Sequence, residues 1–167
     1  MYKTVVFDLD GTLLNTLTDL ADAGNRLCRK YGWPTHERQA YRYFVGNGIP
    51  KLVERLAPAD QRTPAVLEAA LADFKRDYGQ HLRDTTAPYP GIPEMLAKLK
   101  ANGVQLAVFS NKADALAKEV VKDYFGTQYF TIVRGQMTGV APKPAAEGTN
   151  ALLQALHADP ASTLYVG

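Results

Sequence analysis

The chain has 167 residues, 46% of them hydrophobic and 22% charged, with 19 Lys and Arg against 17 Asp and Glu for a formal charge of +2. These are the proportions of a core-forming globular domain, and with neither sign gathered into long runs they exclude a polybasic nucleic-acid surface and an acidic tail. The lone Cys28 excludes an internal disulfide; no apolar run approaches the ~20 residues of a membrane span, and the N-terminus turns acidic where a signal peptide would stay apolar, so a reducing, cytoplasmic setting is expected.

Thr4-Val5-Val6-Phe7 is short, apolar and β-branched and runs into Asp8 and Gly11, the pattern of a buried parallel strand ending in a turn. Leu17, Leu20, Ala21, Leu27, Cys28 and Tyr31 recur at threes and fours, which predicts an amphipathic helix beginning near Thr16 and closed by Gly32, with Pro34 beyond. No strand pattern follows until residue 82. A short helix leads to Gly46-Asn47-Gly48, another covers 51–56, and Thr63-Pro64 opens a third whose stripe is Val66, Leu67, Ala70, Leu71, Phe74 and Tyr78. Tyr41, Tyr43 and Phe44 read as helix packing, since no basic groove surrounds them as a base-stacking platform would need.

The pattern changes after Ala87-Pro88-Tyr89-Pro90-Gly91. A helix over 94–102 precedes a buried strand at Val104–Phe109, a helix over 114–124, an apolar strand at Phe130–Val133, a helix over 147–156 and a last strand at Thr163–Val166. Strands alternating with helices predict an α/β fold with right-handed crossovers and a parallel sheet. Its core would comprise residues 1–15 and 87–167, with 16–86 inserted as a small helical domain.

Ligands of open α/β sheets bind beyond the carboxyl ends of the strands. Asp8, Asp10, Gly11 and Thr12 follow the first strand, Ser110 and Asn111 the second, and Lys143 lies in a later turn, so three polar groups converge on one rim. Two carboxylates at i, i+2 can divide nucleophile and general-acid roles between them, and they form a hard oxygen site suited to Mg²⁺. Gly11 permits a sharp turn that leaves amide N–H groups facing an anion. Ser110-Asn111 offers a hydroxyl and amides suited to phosphate, and Pro142 and Pro144 restrict the backbone that aims the Lys143 ammonium. Each pattern has a plainer counterpart: a helix cap or solvated turn for the acids, a cap for Ser-Asn, a surface lysine in a rigid turn. An EF-hand is excluded because the glycine stands at the fourth loop position, and no P-loop pattern exists. His36, His81 and His157 have no metal-ligand spacing, and Cys28 falls on the apolar stripe of its helix.

Taken together, FDLDGT near the N-terminus, FSNK after the second strand and APKP before a later helix resemble the haloacid dehalogenase superfamily of phosphohydrolases, in its phosphoglycolate phosphatase-like branch. VGNG followed by LVERL is similar to the mobile cap of that branch, and the resemblance covers nearly the whole chain. It implies a Rossmann-like parallel sheet with flanking helices and a helical cap over 16–86. It also implies that Asp8 is the nucleophile, that Asp10 protonates the leaving alcohol and then activates water, and that Mg²⁺ is held by the Asp8 carboxylate and the Asp10 carbonyl. Gly11, Thr12, Ser110, Asn111 and Lys143 would bind phosphate, and the loop at Gly46, Asn47 and Gly48 would close over the substrate.

Asn15 and Ala146 depart from the commoner Asp and Pro of that family, away from the chemistry. A fourth motif, an acidic pair completing the Mg²⁺ site, would begin where the sequence stops at Gly167. The closing part of the core is therefore expected to be missing, with weaker Mg²⁺ binding and an uncovered apolar sheet edge. The expected activity is a Mg²⁺-dependent phosphatase of small phosphorylated metabolites, 2-phosphoglycolate first, with no nucleic-acid or membrane partner; a sugar phosphomutase and a non-catalytic binding module are the alternatives. Oligomeric state is not legible.

Overall fold

In the computed structural model, which describes residues 2–167, a four-stranded parallel sheet runs in the order β5-β4-β1-β6. Its strands are β1 (Thr4–Phe7), β4 (Gln105–Ala113), β5 (Phe130–Gln136) and β6 (Thr163–Val166), while two-residue strands β2 (Leu14–Asn15) and β3 (Ala87–Pro88) flank the insertion. β1 lies between β4 and β6, with Val6 opposite both Ala107 and Tyr165. Central placement explains why all four β1 side chains are buried, and why the stretch reads as a continuous apolar run instead of an alternation. The α/β, parallel-sheet expectation therefore holds. By contact density the chain divides into two compact units, Met1–Asn15 with Pro88–Gly167, and Thr16–Ala87.

In the sheet unit the crossovers are α5 (Ile92–Ala101), α6 (Asp114–Phe125) and α7 (Ala146–Ala155). Leu152 and Leu156 pack on Val6, Ala107 and Phe109. α5 begins two residues before the expected start because Pro93 sits in its first turn, where a missing N–H costs nothing.

β4 corrects a sequence expectation. The strand does not end at Phe109 but continues to Ala113, so Ser110 and Asn111 lie inside it instead of in a turn beyond it. Phe109 pairs with Arg134 and Ala113 with Gln136, so four residues on β4 advance against two on β5. The surplus forms a bulge at 110–112. Gly135 is what admits it: a Cβ there would overlap the Lys112 carbonyl oxygen and stand 2.6 Å from Asp114 Cα. Bulges re-aim side chains beside functional sites, and this one re-aims Ser110, Asn111 and Lys112.

The other unit is helical: α1 (Leu17–Tyr31), α2 (Tyr41–Phe44), α3 (Ile49–Leu56) and α4 (Pro64–His81), with α4 packed on α1 and α3. Gly32 ends α1 in the left-handed conformation, φ 67°, as its position predicts, and the Thr63 hydroxyl accepts from the Val66 N–H at the start of α4. Cys28 is fully buried, and burial pushes its thiol up to about 11. Arg26 pairs with Asp77, and Asp73 takes Lys30, Arg76 and the Tyr31 hydroxyl; hydrogen bonds from Lys30 and Tyr31 hold the Asp73 carboxyl at about 2.

Tyr41 is fully buried but Tyr43 is 82% exposed, so the packing expected of that aromatic trio does not extend to Tyr43. Asn25 organises the turn: its Oδ1 accepts from the His36 N–H and the Tyr41 hydroxyl, and its Nδ2 donates to the His36 carbonyl. The Tyr41 ring then rests on Gly24, where a Cβ would stand 2.5 Å from the hydroxyl and 2.6 Å from Cε1. Gly24→Ala should gain about 1 kcal/mol in helix propensity and lose about 1–3 kcal/mol to overpacking. Because Asn25 anchors the phenol, the clash should win, and the urea midpoint of the variant should fall; a rise would show that Tyr41 is free to move.

Candidate active site

The carboxyl ends of β1 and β4 form the site. Asp8 leaves β1 with its N–H donated to the Val166 carbonyl, so β6 fixes its backbone. Its Oδ1 accepts from the Leu9 N–H at 2.7 Å and pairs with Lys143 Nζ at 3.0 Å. No donor among the described residues reaches Oδ2. The Lys143 ammonium also donates to the Phe109 carbonyl and to the Tyr165 hydroxyl, both at 2.7 Å, so its three N–H groups meet three acceptors. Its charge further lies 5.4 Å and 5.3 Å from the Phe109 and Tyr165 ring centroids.

Lys143 is delivered by its loop, and Asn111 holds that loop. The Asn111 Oδ1 accepts from the Lys143 N–H at 2.8 Å, and its Nδ2 donates to the Lys143 carbonyl at 3.2 Å. Both ends of the side-chain amide are thereby engaged with backbone, so this side chain clamps the lysine, and the phosphate expected at Ser110-Asn111 would fall to the Ser110 hydroxyl and to backbone N–H groups. Ser110 differs. Its Oγ accepts from the Lys112 N–H at 3.1 Å, which leaves the hydroxyl proton for an anion.

Gly11 takes φ 81°, the sharp turn expected of it, but the amides do not face outward. The Gly11 N–H donates to the Leu14 carbonyl and the Thr12 N–H to the Leu9 carbonyl. The phosphate-binding expectation for these two amides is corrected on that ground, because a tight turn closes by using its own donors.

Asp10 carries its own cation. Lys112 Nζ lies 3.1 Å from Asp10 Oδ1, with the lysine side chain 3% exposed and the aspartate 22%. The two carboxylates are therefore each matched to a separate ammonium, and the four charges sum to zero. Sequence reasoning did not single out Lys112 or Tyr165; FSNK contains the first, but nothing local marks it as facing inward. Gly46, Asn47 and Gly48 belong to the helical unit, where Asn47 Oδ1 accepts from Arg55 and Arg55 also caps the Phe44 carbonyl.

Mg²⁺ usually binds through one or two carboxylates plus substrate phosphate, without a complete protein cage. Among the described residues no group of three or more His, Cys, Asp or Glu could hold a metal. Asp8 and Asp10, with Asp8 Oδ2 unclaimed, fit this smaller requirement. None of the helices among the described residues is long and apolar enough to cross a membrane.

A parallel α/β sheet with paired aspartates beyond its first strand and lysines from two later segments defines the class. The family model described as haloacid dehalogenase-like hydrolase matches residues 5–167, and the chain belongs to that family, in its phosphoglycolate phosphatase-like branch. It is 33% identical over 145 residues to the phosphoglycolate phosphatase of Thiobacillus denitrificans, covering 85% of this chain and 64% of that protein. It is likewise 33% identical to the phosphoglycolate phosphatase of Neisseria meningitidis, over 99% of this chain and 72% of the relative. A predicted phosphoglycolate phosphatase from Haemophilus somnus superposes with a TM-score of 0.88 at 27% identity, over 99% of this chain and 76% of the other. The chain thus spans just under two thirds of the first of these relatives and about three quarters of the others.

Proposed function

We propose that this chain carries the reacting groups of a phosphatase acting on small phosphomonoesters, with 2-phosphoglycolate as the first substrate to test. The observation that carries the reading is the Asp8 carboxylate: one oxygen is immobilised by the Leu9 N–H and Lys143, the other is unclaimed. A nucleophile so oriented needs no reorganisation before attack. The names of the relatives support the substrate class, and Thr12, Ser110 and Lys143 supply a cationic, hydroxyl-bearing rim for the phosphoryl oxygens.

The steps follow from the two acids. The Asp8 carboxylate attacks phosphorus, the bond from phosphorus to the alkyl oxygen breaks, and Asp10, having taken up a proton as substrate binds, passes it to the departing alkoxide. Asp10, now a carboxylate, takes a proton from water as that water attacks the aspartyl-phosphate, and the bond from phosphorus to Asp8 breaks to release phosphate. Lys143 offsets charge accumulating on the transferred group. The Asp8 carboxylate and the Asp10 carbonyl would hold Mg²⁺, which when bound neutralises phosphoryl charge. The reading implies a small phosphorylated metabolite as partner, and no nucleic acid or membrane.

The test is phosphate release by the native protein from 2-phosphoglycolate and a panel of sugar phosphates, with Mg²⁺ and with a chelator. Release that needs Mg²⁺ and favours the small carboxylated ester supports the reading. Conversion of a sugar phosphate to its isomer without free phosphate would replace it with a phosphomutase, and neither product would overturn it.

A further inference from the structure

We infer that Lys112 is a positioning residue for Asp10, holding its carboxylate in the direction along which it exchanges a proton with the leaving group; this rests on the role proposed above for Asp10. Lys112 Nζ lies 3.1 Å from Oδ1 and 3.5 Å from Oδ2, so the ammonium spans the carboxylate edge. The Asp10 backbone is already set by the Gly11 turn and by its bridge to Leu14. Rotation of the side chain is the freedom left, and the lysine removes it.

Three further observations show that the lysine is built into place. Its N–H is tied to the Ser110 hydroxyl oxygen, and its carbonyl packs so closely over Gly135 that no side chain fits there. The bulge that aims it inward lies at one of the two places where β4 and β5 lose register, the other falling between Leu106 and Ala107. Asp114, next in the chain but one, accepts from the Gly135 N–H at 2.9 Å and locks the far side of the bulge. Burial raises the Asp114 carboxyl, yet its bonds to Lys118 and the Gly135 N–H outweigh that and lower it.

Burying an ammonium is costly unless its partner needs it there. The side chain of Lys112 is 3% exposed where that of Asp10 is 22% exposed. The shielded cation meets the carboxylate, and the carboxylate is the more open of the two.

The test compares leaving groups. An alkyl phosphate needs a proton on its departing oxygen, whereas 4-nitrophenyl phosphate departs without one. Lys112→Met should lower kcat/KM on the alkyl ester about 100-fold and on the aryl ester less than about 5-fold. In an Asp10→Asn background the same change should add nothing to the alkyl loss. Equal losses on both esters would make Lys112 merely structural and overturn the proposal. A rise in KM confined to esters bearing a second anionic group would overturn it in favour of direct substrate contact. A second measurement needs no turnover: the ¹⁵N–¹H signal of the Lys112 ammonium should be visible in the wild type and displaced in Asp10→Asn. An unchanged signal would overturn the pairing, whereas absence of phosphate release from either ester by the wild type would count against the phosphatase reading alone.

Discussion

Asp8→Asn should abolish phosphate release, by at least about 10³-fold, while leaving the protein folded. Asn has the shape of Asp, so its side-chain oxygen can still accept from the Leu9 N–H and from Lys143, the two contacts that Asp8 Oδ1 makes. Lys143 keeps the Phe109 carbonyl and the Tyr165 hydroxyl in any case. What is lost is the anionic oxygen that would bond to phosphorus, and an amide cannot substitute for it. With Asp8 27% exposed, its ion pair to Lys143 is partly screened, and the stability change should stay within about 1 kcal/mol. Removing a negative charge beside an incoming phosphate should also leave substrate binding equal or tighter. Turnover and a denaturation midpoint on the same preparation check both halves. Activity within tenfold of wild type would exclude Asp8 as nucleophile, and a collapsed midpoint would make the loss uninformative, in which case trapping the phosphorylated residue in the wild type decides.

The largest stability effect should come from Asp19, far from that chemistry in sequence role. Its carboxylate is 2% exposed and accepts four hydrogen bonds at the opposite end of the helical unit's chain. Oδ1 takes the Thr85 N–H at 2.9 Å and its hydroxyl, and Oδ2 takes the Thr86 N–H at 2.9 Å and its hydroxyl at 2.7 Å. The tie joins residues 66 and 67 positions apart, so it closes the loop made by the whole helical unit. Asp19→Ala leaves the buried Thr86 donors, and the part-buried Thr85 donors beside them, without their acceptor. Bonds to charged groups are worth about 1.5–3 kcal/mol each but are not additive, so a loss of about 3–5 kcal/mol is expected. Asp19→Asn keeps one acceptor oxygen and presents an NH₂ to donors on the other side, which should give a smaller loss. Urea melts of both variants check the order. A change below about 1 kcal/mol in Asp19→Ala would show that water replaces the carboxylate without penalty.

Much of the framework was readable from the chain alone because it depends on near neighbours. α1 shows its stripe and its Gly32 stop within one stretch, and β6 begins and ends at the expected residues. The convergence of Asp8 with Lys143 was readable too, since a parallel sheet brings the ends of its strands to one rim. The extent of β4 was not. Its last four residues are strand only because Gly135, 23 positions after Lys112, lets two backbones approach, and no periodicity records such an approach. The same holds for Asn111, whose polar type fits a phosphate ligand and a loop clamp equally well until Lys143 is seen within reach of both its ends.

By itself, then, the order of residues determined the α/β class, the element types and the two aspartates at a strand end, because burial patterns and turn residues act over a few positions. The tertiary structure alone decided which cation meets which carboxylate, which amides the Gly11 turn consumes, and how Asp19 reaches Thr85 and Thr86. Those outcomes depend on distances between segments tens of residues apart, set only when the sheet register and the bulge at 110–112 are in place.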